Sequence, residues 1–268
     1  MNTIYFDNNA TTKTAPEVME EIKPFFCEFY GNPSSMHTFG GQVGIRIRRA
    51  REQVAALLGC EAGEVIFTGC GTESDNNAIN GTLASLPNRR KIVTSRVEHP
   101  AVLAVCREWA NHGYTVAEIG VDKHGRLDMN QLEDELDEDT AIVSIMYANN
   151  ETGTIFPIEK IAQMVKDKGA VFHTDAVQAV GKIPMNLSRS NIDLLSISGH
   201  KLHAPKGIGV LYVRKGTRLS PFMLGGHQEG GRRAGTENVP GIVGLGKACE
   251  LAAQNINDED TRVMQLRD

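Results

Sequence analysis

The chain has no cysteine pairs: Cys27, Cys60, Cys70, Cys106 and Cys249 are scattered through 268 residues without repeated spacing. That pattern argues against both a disulfide framework and a zinc site, and leaves reduced thiols as the expectation. No apolar run is long enough to cross a bilayer, and Met1-Asn2-Thr3-Ile4-Tyr5-Phe6-Asp7 lacks the basic-then-apolar order of a secretion signal. No excess of positive charge is present either. A net charge of -5 gives no electrostatic reason to expect nucleic acid or an anionic membrane as partner, and a cytoplasmic location is expected. No serine carries the flanking glycines of a nucleophile elbow. The acidic run Glu133 to Asp139 has no glycine-turned ligand loop, so it reads as a solvated helix end and no metal is expected. Internal repeats, low-complexity tracts and linkers are missing.

What is present is a large α/β pattern, 41% hydrophobic and 23% charged, able to bury a sizeable core. Short apolar runs of strand length, 64–68, 91–95, 141–146, 170–175, 193–198 and 208–214, alternate with amphipathic helical stretches. Such alternation predicts crossover units and a mainly parallel sheet covered on both faces, a three-layer α/β/α arrangement. Val43, Ile47, Ala50, Val54, Leu57 and Leu58 predict a long helix ended by Gly59. Thr14-Ala15-Pro16-Glu17 has the side chains of a helix start, with Val18, Ile22, Phe25, Phe26 and Phe29 as the buried face of one helix running to Gly31. Arg46, Arg48, Arg49 and Arg51 read as a solvated helix face. Gly241 to Lys247 has the glycine-lysine spacing of a nucleotide loop, but Ala248 replaces the metal-binding hydroxyl and no strand precedes it, so helix packing is expected.

In open α/β sheets ligands gather at the carboxyl ends of the strands, and here nearly every apolar run ends in reactive residues. Gly69-Cys70-Gly71-Thr72 opens a helix and offers backbone amides and the Thr72 hydroxyl to a phosphate, although glycine turns also serve as plain connections. His99 can stack on an aromatic ring and move protons, or be a satisfied structural histidine. Asn149 offers hydrogen bonds or simply forms a turn. Asp175, with Gln178 a turn later, suits a pyridinium nitrogen or caps a helix. Lys201 follows a buried strand in a tight polar link, where it is either a surface-loop lysine or an amine kept neutral for condensation with an aldehyde. Together these form the inventory of a pyridoxal phosphate site: carboxylate for ring nitrogen, amine for aldehyde, amides and hydroxyls for phosphate.

At the stretches Tyr5 to Thr12, Gly31 to His37, Gly71 to Asn76, Glu98 to Pro100, Ala148 to Thr154, His173 to Lys182, Ser196 to Gly209 and Gly225 to Asn238, the chain resembles the cysteine desulfurases, most of all their nitrogenase-associated branch. The resemblance implies a fold-type I pyridoxal phosphate enzyme, a homodimer that takes sulfur from L-cysteine, leaving L-alanine and an enzyme persulfide for an iron-sulfur scaffold protein. It assigns Lys201 to the aldehyde and Asp175 to the ring nitrogen. His99 would stack on the ring and share proton transfer with Lys201, while Asn149 and Gln178 would contact its substituents. Gly71, Thr72, Ser198 and His200 would hold the phosphate, joined by Thr236 reaching across to the other subunit, and Gly199 would also belong to the cofactor-binding set. The family's sulfur-accepting cysteine lies in a carboxyl-terminal small domain, and the five cysteines of this chain read as buried structural thiols instead. The expected division is an N-terminal segment at 1–14, the cofactor domain at 15–255 and the start of a small domain at 256–268. The chain is therefore expected to bind cofactor without completing sulfur transfer. A selenocysteine lyase, an aminotransferase, or a non-catalytic cofactor-binding fragment would share the lysine and aspartate.

Overall fold

The computed structural model describes residues 4–268; Met1 to Thr3 of the expected N-terminal segment lie outside them. Seven strands form one sheet: β1 (Val65–Thr68), β2 (Lys91–Ser95), β3 (Thr115–Ile119), β4 (Thr140–Ser144), β5 (Val171–Asp175), β6 (Leu194–Ser198) and β7 (Gly209–Val213), in the order β1-β7-β6-β5-β4-β2-β3. Only β7 runs antiparallel to its neighbours. The helices are α1 (Pro16–Ile22), α2 (Pro24–Cys27), α3 (Thr38–Leu58), α4 (Gly71–Ser85), α5 (Pro100–Asn111), α6 (Met129–Glu135), α7 (Ile158–Asp167), α8 (Val239–Asp258) and α9 (Met264–Arg267). The three-layer architecture expected from the alternation is what forms.

Strand alternation sorts the core into two halves. Val65, Phe67, Val93, Val143, Phe172, Leu195, Ile197, Val210 and Tyr212 join residues of α1, α3, α7 and α8 on one face. Ile66, Ile92, Ile142, Leu194 and Leu211 join residues of α4 and α5 on the other. The period of two then puts His173, Asp175, Ser196 and Ser198 on the α4 face, the polar exceptions in an apolar layer. Gly209 lets the start of α4 approach, since a Cβ there would lie 2.6 Å from the Cys70 carbonyl carbon.

Gly59 ends α3 in the left-handed conformation at φ 65°, as its position predicts. The glycine-lysine stretch lies in α8, where a Cβ at Gly246 would meet Ala50 Cα at 2.6 Å; it serves helix packing. The boundary expected at 255/256 falls inside α8. Other expectations need correction. The single helix from Pro16 to Gly31 is broken at Pro24, which lacks an N–H and crowds the preceding turn, so α2 starts afresh and Phe26 is exposed. Ala15, not Thr14, occupies the N-cap of α1, without a side-chain bond. Strand β3 was not expected at all; it is an edge strand, half-buried along most of its length, and lacks a strong apolar signal.

Arg51 is also not a solvated helix residue. Its guanidinium grips Glu229 through two bonds of 2.7 Å, donates to the Val65 carbonyl at 2.6 Å and lies over the Phe67 ring. Glu229 also accepts the Phe67 N–H at 2.9 Å, which fastens the glycine-rich segment after Gly225 to β1. Glu229→Ala would leave Arg51 without its counter-charge in a largely dry site, and urea unfolding is expected to show a loss of about 3–5 kcal/mol. A midpoint unchanged from wild type would show that the pair fastens nothing. Among the described residues no helix is long and apolar enough to cross a membrane.

Candidate active site

The carboxyl ends of β5 and β6, the start of α4 and the N-terminal segment enclose a cavity of about 670 Å³. Lys201, Asp175, His99, Gly71, Thr72, Gln178, Ser198 and His200 all line it. Parallel pairing explains the convergence, because Asp175 and Ser196 sit in register on adjacent strands and each chain segment leaves the sheet at the same edge.

Asp175 forms the floor. It is buried, and its Oδ1 accepts the Val177 N–H at 3.0 Å. Burial raises its pKa, while the Val177 amide, His99 and Lys201 pull it back down. Behind it, His173 bonds Ser144 through Nδ1 at 2.8 Å and Ser196 through Nε2 at 2.9 Å. Burial pushes this imidazole down to about 3, so it is neutral at working pH.

Lys201 ends a 3₁₀ turn that follows β6 directly. Its Nζ donates to the carbonyls of Asn9 and Ala10, the second at 2.9 Å. Burial lowers its pKa, against the pull of Asp175 and Asp7, toward the neutral amine that condensation with a carbonyl requires. The N-terminal segment is held over this turn by Thr12, whose N–H and hydroxyl both reach the His200 carbonyl at 2.9 and 2.8 Å. The Thr11 hydroxyl meets His200 Nδ1 at 3.0 Å. Burial, then the charges of Lys201 and Lys206, lowers the His200 pKa.

At the other end, α4 presents the amides of Gly71 and Thr72 ahead of its first intrahelical bond, from Ser74 N–H to the Cys70 carbonyl. A Cβ at Gly71 would lie 3.1 Å from both Ser198 Cβ and Val177 Cγ2, so glycine keeps this cradle open. Glu73 takes the Gly69 N–H at 2.7 Å and the Arg233 Nε at 2.8 Å, fixing the turn. A cavity with a carboxylate floor, an amine at its wall and an anion-binding helix start fits pyridoxal phosphate at its ring nitrogen, aldehyde and phosphate.

His99 caps α5, its Nδ1 accepting the Ala101 N–H at 3.1 Å, which leaves Nε2 to carry the proton of the neutral ring. Gln178 reaches the Asn9 carbonyl at 3.0 Å. Three expected residues do not line the cavity. Asn149 spends its side chain on the Val97 carbonyl and on the amides of Glu151 and Thr152, the turn-forming alternative. Gly199 is buried and pairs with Ile208; Thr236 is exposed beside the small cleft lined by Gly235 and Glu237.

The reading of all five cysteines as buried thiols fails for Cys27 and Cys70, which are exposed, and Cys60 is half-buried. Cys27 ends the short α2, and Cys70 caps α4 at the cavity, its Sγ accepting the Glu73 N–H. Sequence reasoning also passed over Asp7, Asn9, Ala10, Asp75 and Glu151 as lining residues. Asp75 had a signal, lying one helical turn after Gly71 and hence on the same face. The acidic run does not simply face solvent: Lys91 Nζ meets Glu135 at 2.9 Å and Asp137 at 2.8 Å.

Glu98, next to His99, is buried. Its Oε1 accepts the Ser95 hydroxyl at 2.6 Å and the Met146 N–H at 2.9 Å, while Oε2 has no partner. Burial outweighs both bonds and pushes its pKa up to about 8. The folded chain keeps this proton where the unfolded chain has released it, so the stability tied to it is lost as pH rises from about 4.5 to about 8. Glu98→Gln keeps the acceptor and cannot ionise. Its Tm relative to wild type is expected to be higher at pH 8 than at pH 5, by about 3 °C or more; a constant difference would rule the assignment out.

The sequence model of the class-V aminotransferases matches residues 4–267. The chain belongs to that family. Class-V aminotransferase relatives include a cysteine desulfurase of Trichormus azollae, 62% identical over 268 residues, all of this chain and 67% of the relative. The cysteine desulfurase NifS of Azotobacter vinelandii is 55% identical over all of this chain and 67% of its own length. A solved NifS-like protein superimposes with a TM-score of 0.93 at 43% identity, covering 96% of this chain and 71% of that one. This chain thus spans about two thirds of the length of these relatives. Family members of this kind are pyridoxal phosphate enzymes, and in this member Lys201, Asp175 and Gly71 line one cavity.

Proposed function

We propose that this chain carries the cofactor chemistry of a cysteine desulfurase, converting L-cysteine to L-alanine with release of its sulfur to an acceptor thiolate. One observation supports this above the rest: Lys201 and Asp175 share one cavity with the open start of α4. Pyridoxal phosphate, when bound, supplies a sink for the negative charge left on the substrate α-carbon. Lys201 Nζ is the amine for its aldehyde and, as a free amine, a base. Asp175 holds positive charge on the ring nitrogen, and Gly71, Thr72, Ser198 and His200 hold the phosphate. His99 offers its face to the ring and its Nε2 as a second position for a proton.

The acceptor thiolate in this proposal is none of the five cysteines. Burial pushes the thiols of Cys60, Cys106 and Cys249 up to about 12, which leaves no thiolate at neutral pH. Cys70 is held in the phosphate turn by the Glu73 N–H, and Cys27, at the end of α2, does not line the cavity. We extend the proposal to a homodimer in which Thr236 reaches the partner's cofactor, to Asn149 turning toward the ring when cofactor is bound, to a cytoplasmic location, and to an iron-sulfur scaffold protein serving nitrogenase as the final sulfur acceptor; the desulfurase names of the relatives, NifS among them, support the sulfur-transfer part alone. Pyridoxal phosphate added to the purified chain should give a coloured protein that exchanges the α-hydrogen of L-cysteine for deuterium without releasing sulfide. Robust alanine and sulfide formation by this chain alone would overturn the assignment of the acceptor thiolate. Colourless protein would overturn the cofactor chemistry.

A further inference from the structure

A second carboxyl group lies in the floor beside Asp175. Asp75, on α4, is 1% exposed, lines the same cavity, and has an Oδ1 without any hydrogen-bond partner. We propose that Asp75 is a positioning residue for Asp175: an acid that keeps its own proton, so that the floor presents a single negative charge, on Asp175, to the cation above it. The groups facing Asp75 are Asp175 and His173 on β5, Ser196 on β6, Glu98 after β2 and Cys70 at the start of its own helix. His173 Nε2 stands 3.6 Å from the orphan Oδ1, too far for a hydrogen bond, and that imidazole is neutral.

Two carboxylates cannot both ionise in one desolvated space, and the one with donors loses its proton first. Asp175 has the Val177 N–H at 3.0 Å and the nearby charges of His99 and Lys201. Asp75 has no such donor on Oδ1 and no cation among its neighbours. Burial is the largest influence raising its pKa and the charge of Asp175 adds to it; together they outweigh the Ser196 hydroxyl, whose hydrogen bond lowers it. Were Asp75 also charged, the floor would carry a second negative charge that neither Lys201 nor a ring nitrogen could balance along with the first. Glu98 does not compete for the role, because it does not line the cavity.

The identity of the cation above Asp175 rests on the cofactor reading, but the state of Asp75 does not, and the two are tested separately. Cofactor-free protein labelled with carbon-13 aspartate is expected to show, at neutral pH, the carbonyl stretch of a protonated carboxylic acid. That band should move in heavy water and be missing from Asp75→Asn, or from Asp75→Ser if the asparagine variant does not fold. In the cofactor-loaded protein, Asp75→Asn replaces one neutral group by another, so the midpoint of the chromophore's visible pH titration should stay within about 0.3 pH unit of wild type. Removing a true anion from the floor would lower that midpoint by about 1 unit or more, since the cation above would lose a stabilising charge. Lack of the infrared band at neutral pH, its survival in the Asp75 variant, or a lowered midpoint would each overturn the proposal. Failure to bind pyridoxal phosphate would leave the infrared result standing and count against the cofactor reading alone.

Discussion

Lys201→Ala should take up pyridoxal phosphate and lose it again on dialysis after borohydride reduction, whereas wild-type protein should keep the label on the peptide containing Lys201. The reason is chemical. Lys201 is the amine that lines the cavity, and burial brings it toward the neutral form that attacks a carbonyl. The same variant should exchange the α-hydrogen of L-cysteine about 10²–10⁴ times more slowly, the usual worth of a positioned proton-transfer group. Lys201→Arg should be no better, since a guanidinium keeps the charge but remains protonated. A reduced label found on another peptide, or wild-type exchange in either variant, would remove Lys201 from the mechanism.

Asp175→Asn is expected to slow the same exchange by about 10²–10³-fold while the protein still binds cofactor, a loss comparable to removing one preorganised electrostatic contact. The substitution is nearly isosteric, and its amide oxygen can still accept the Val177 N–H, so the fold around β5 should persist. What disappears is the negative charge that keeps a ring nitrogen protonated, and with it the ring's capacity to withdraw electrons. The loss should therefore appear in the rate constant rather than in substrate affinity. Equal exchange rates in the variant and wild type would place the counter-charge elsewhere in the floor, with Asp75 the first alternative.

Much of this was legible without coordinates. The run from Leu194 to Ser198 reads as a buried strand because both its faces are covered, and the polar residues after it read as a site because ligands gather at that end of parallel strands. Edge strand β3 was not legible, since a strand half-covered on its faces carries too few apolar residues to stand out. Arg51 looked like surface because its neighbours Arg46, Arg48 and Arg49 are exposed; its partner Glu229 is 178 residues away. The carbonyls of Asn9 and Ala10 are main-chain groups that every residue has, so no side-chain pattern announces that they cap the Lys201 amine.

By itself, then, the order of residues determined the alternation of strand and helix, the edge of the sheet where the chemistry collects, and the three groups that match a pyridoxal phosphate, because each depends on local periodicity and residue type. The tertiary structure alone decided that β5 lies against β6 beneath the start of α4, that the N-terminal segment closes over Lys201, and which acids keep their protons. Those depend on what surrounds a group. The cost of charging Asp75 or Glu98 is set by the water that packing removes, and neighbours far apart in the chain remove it.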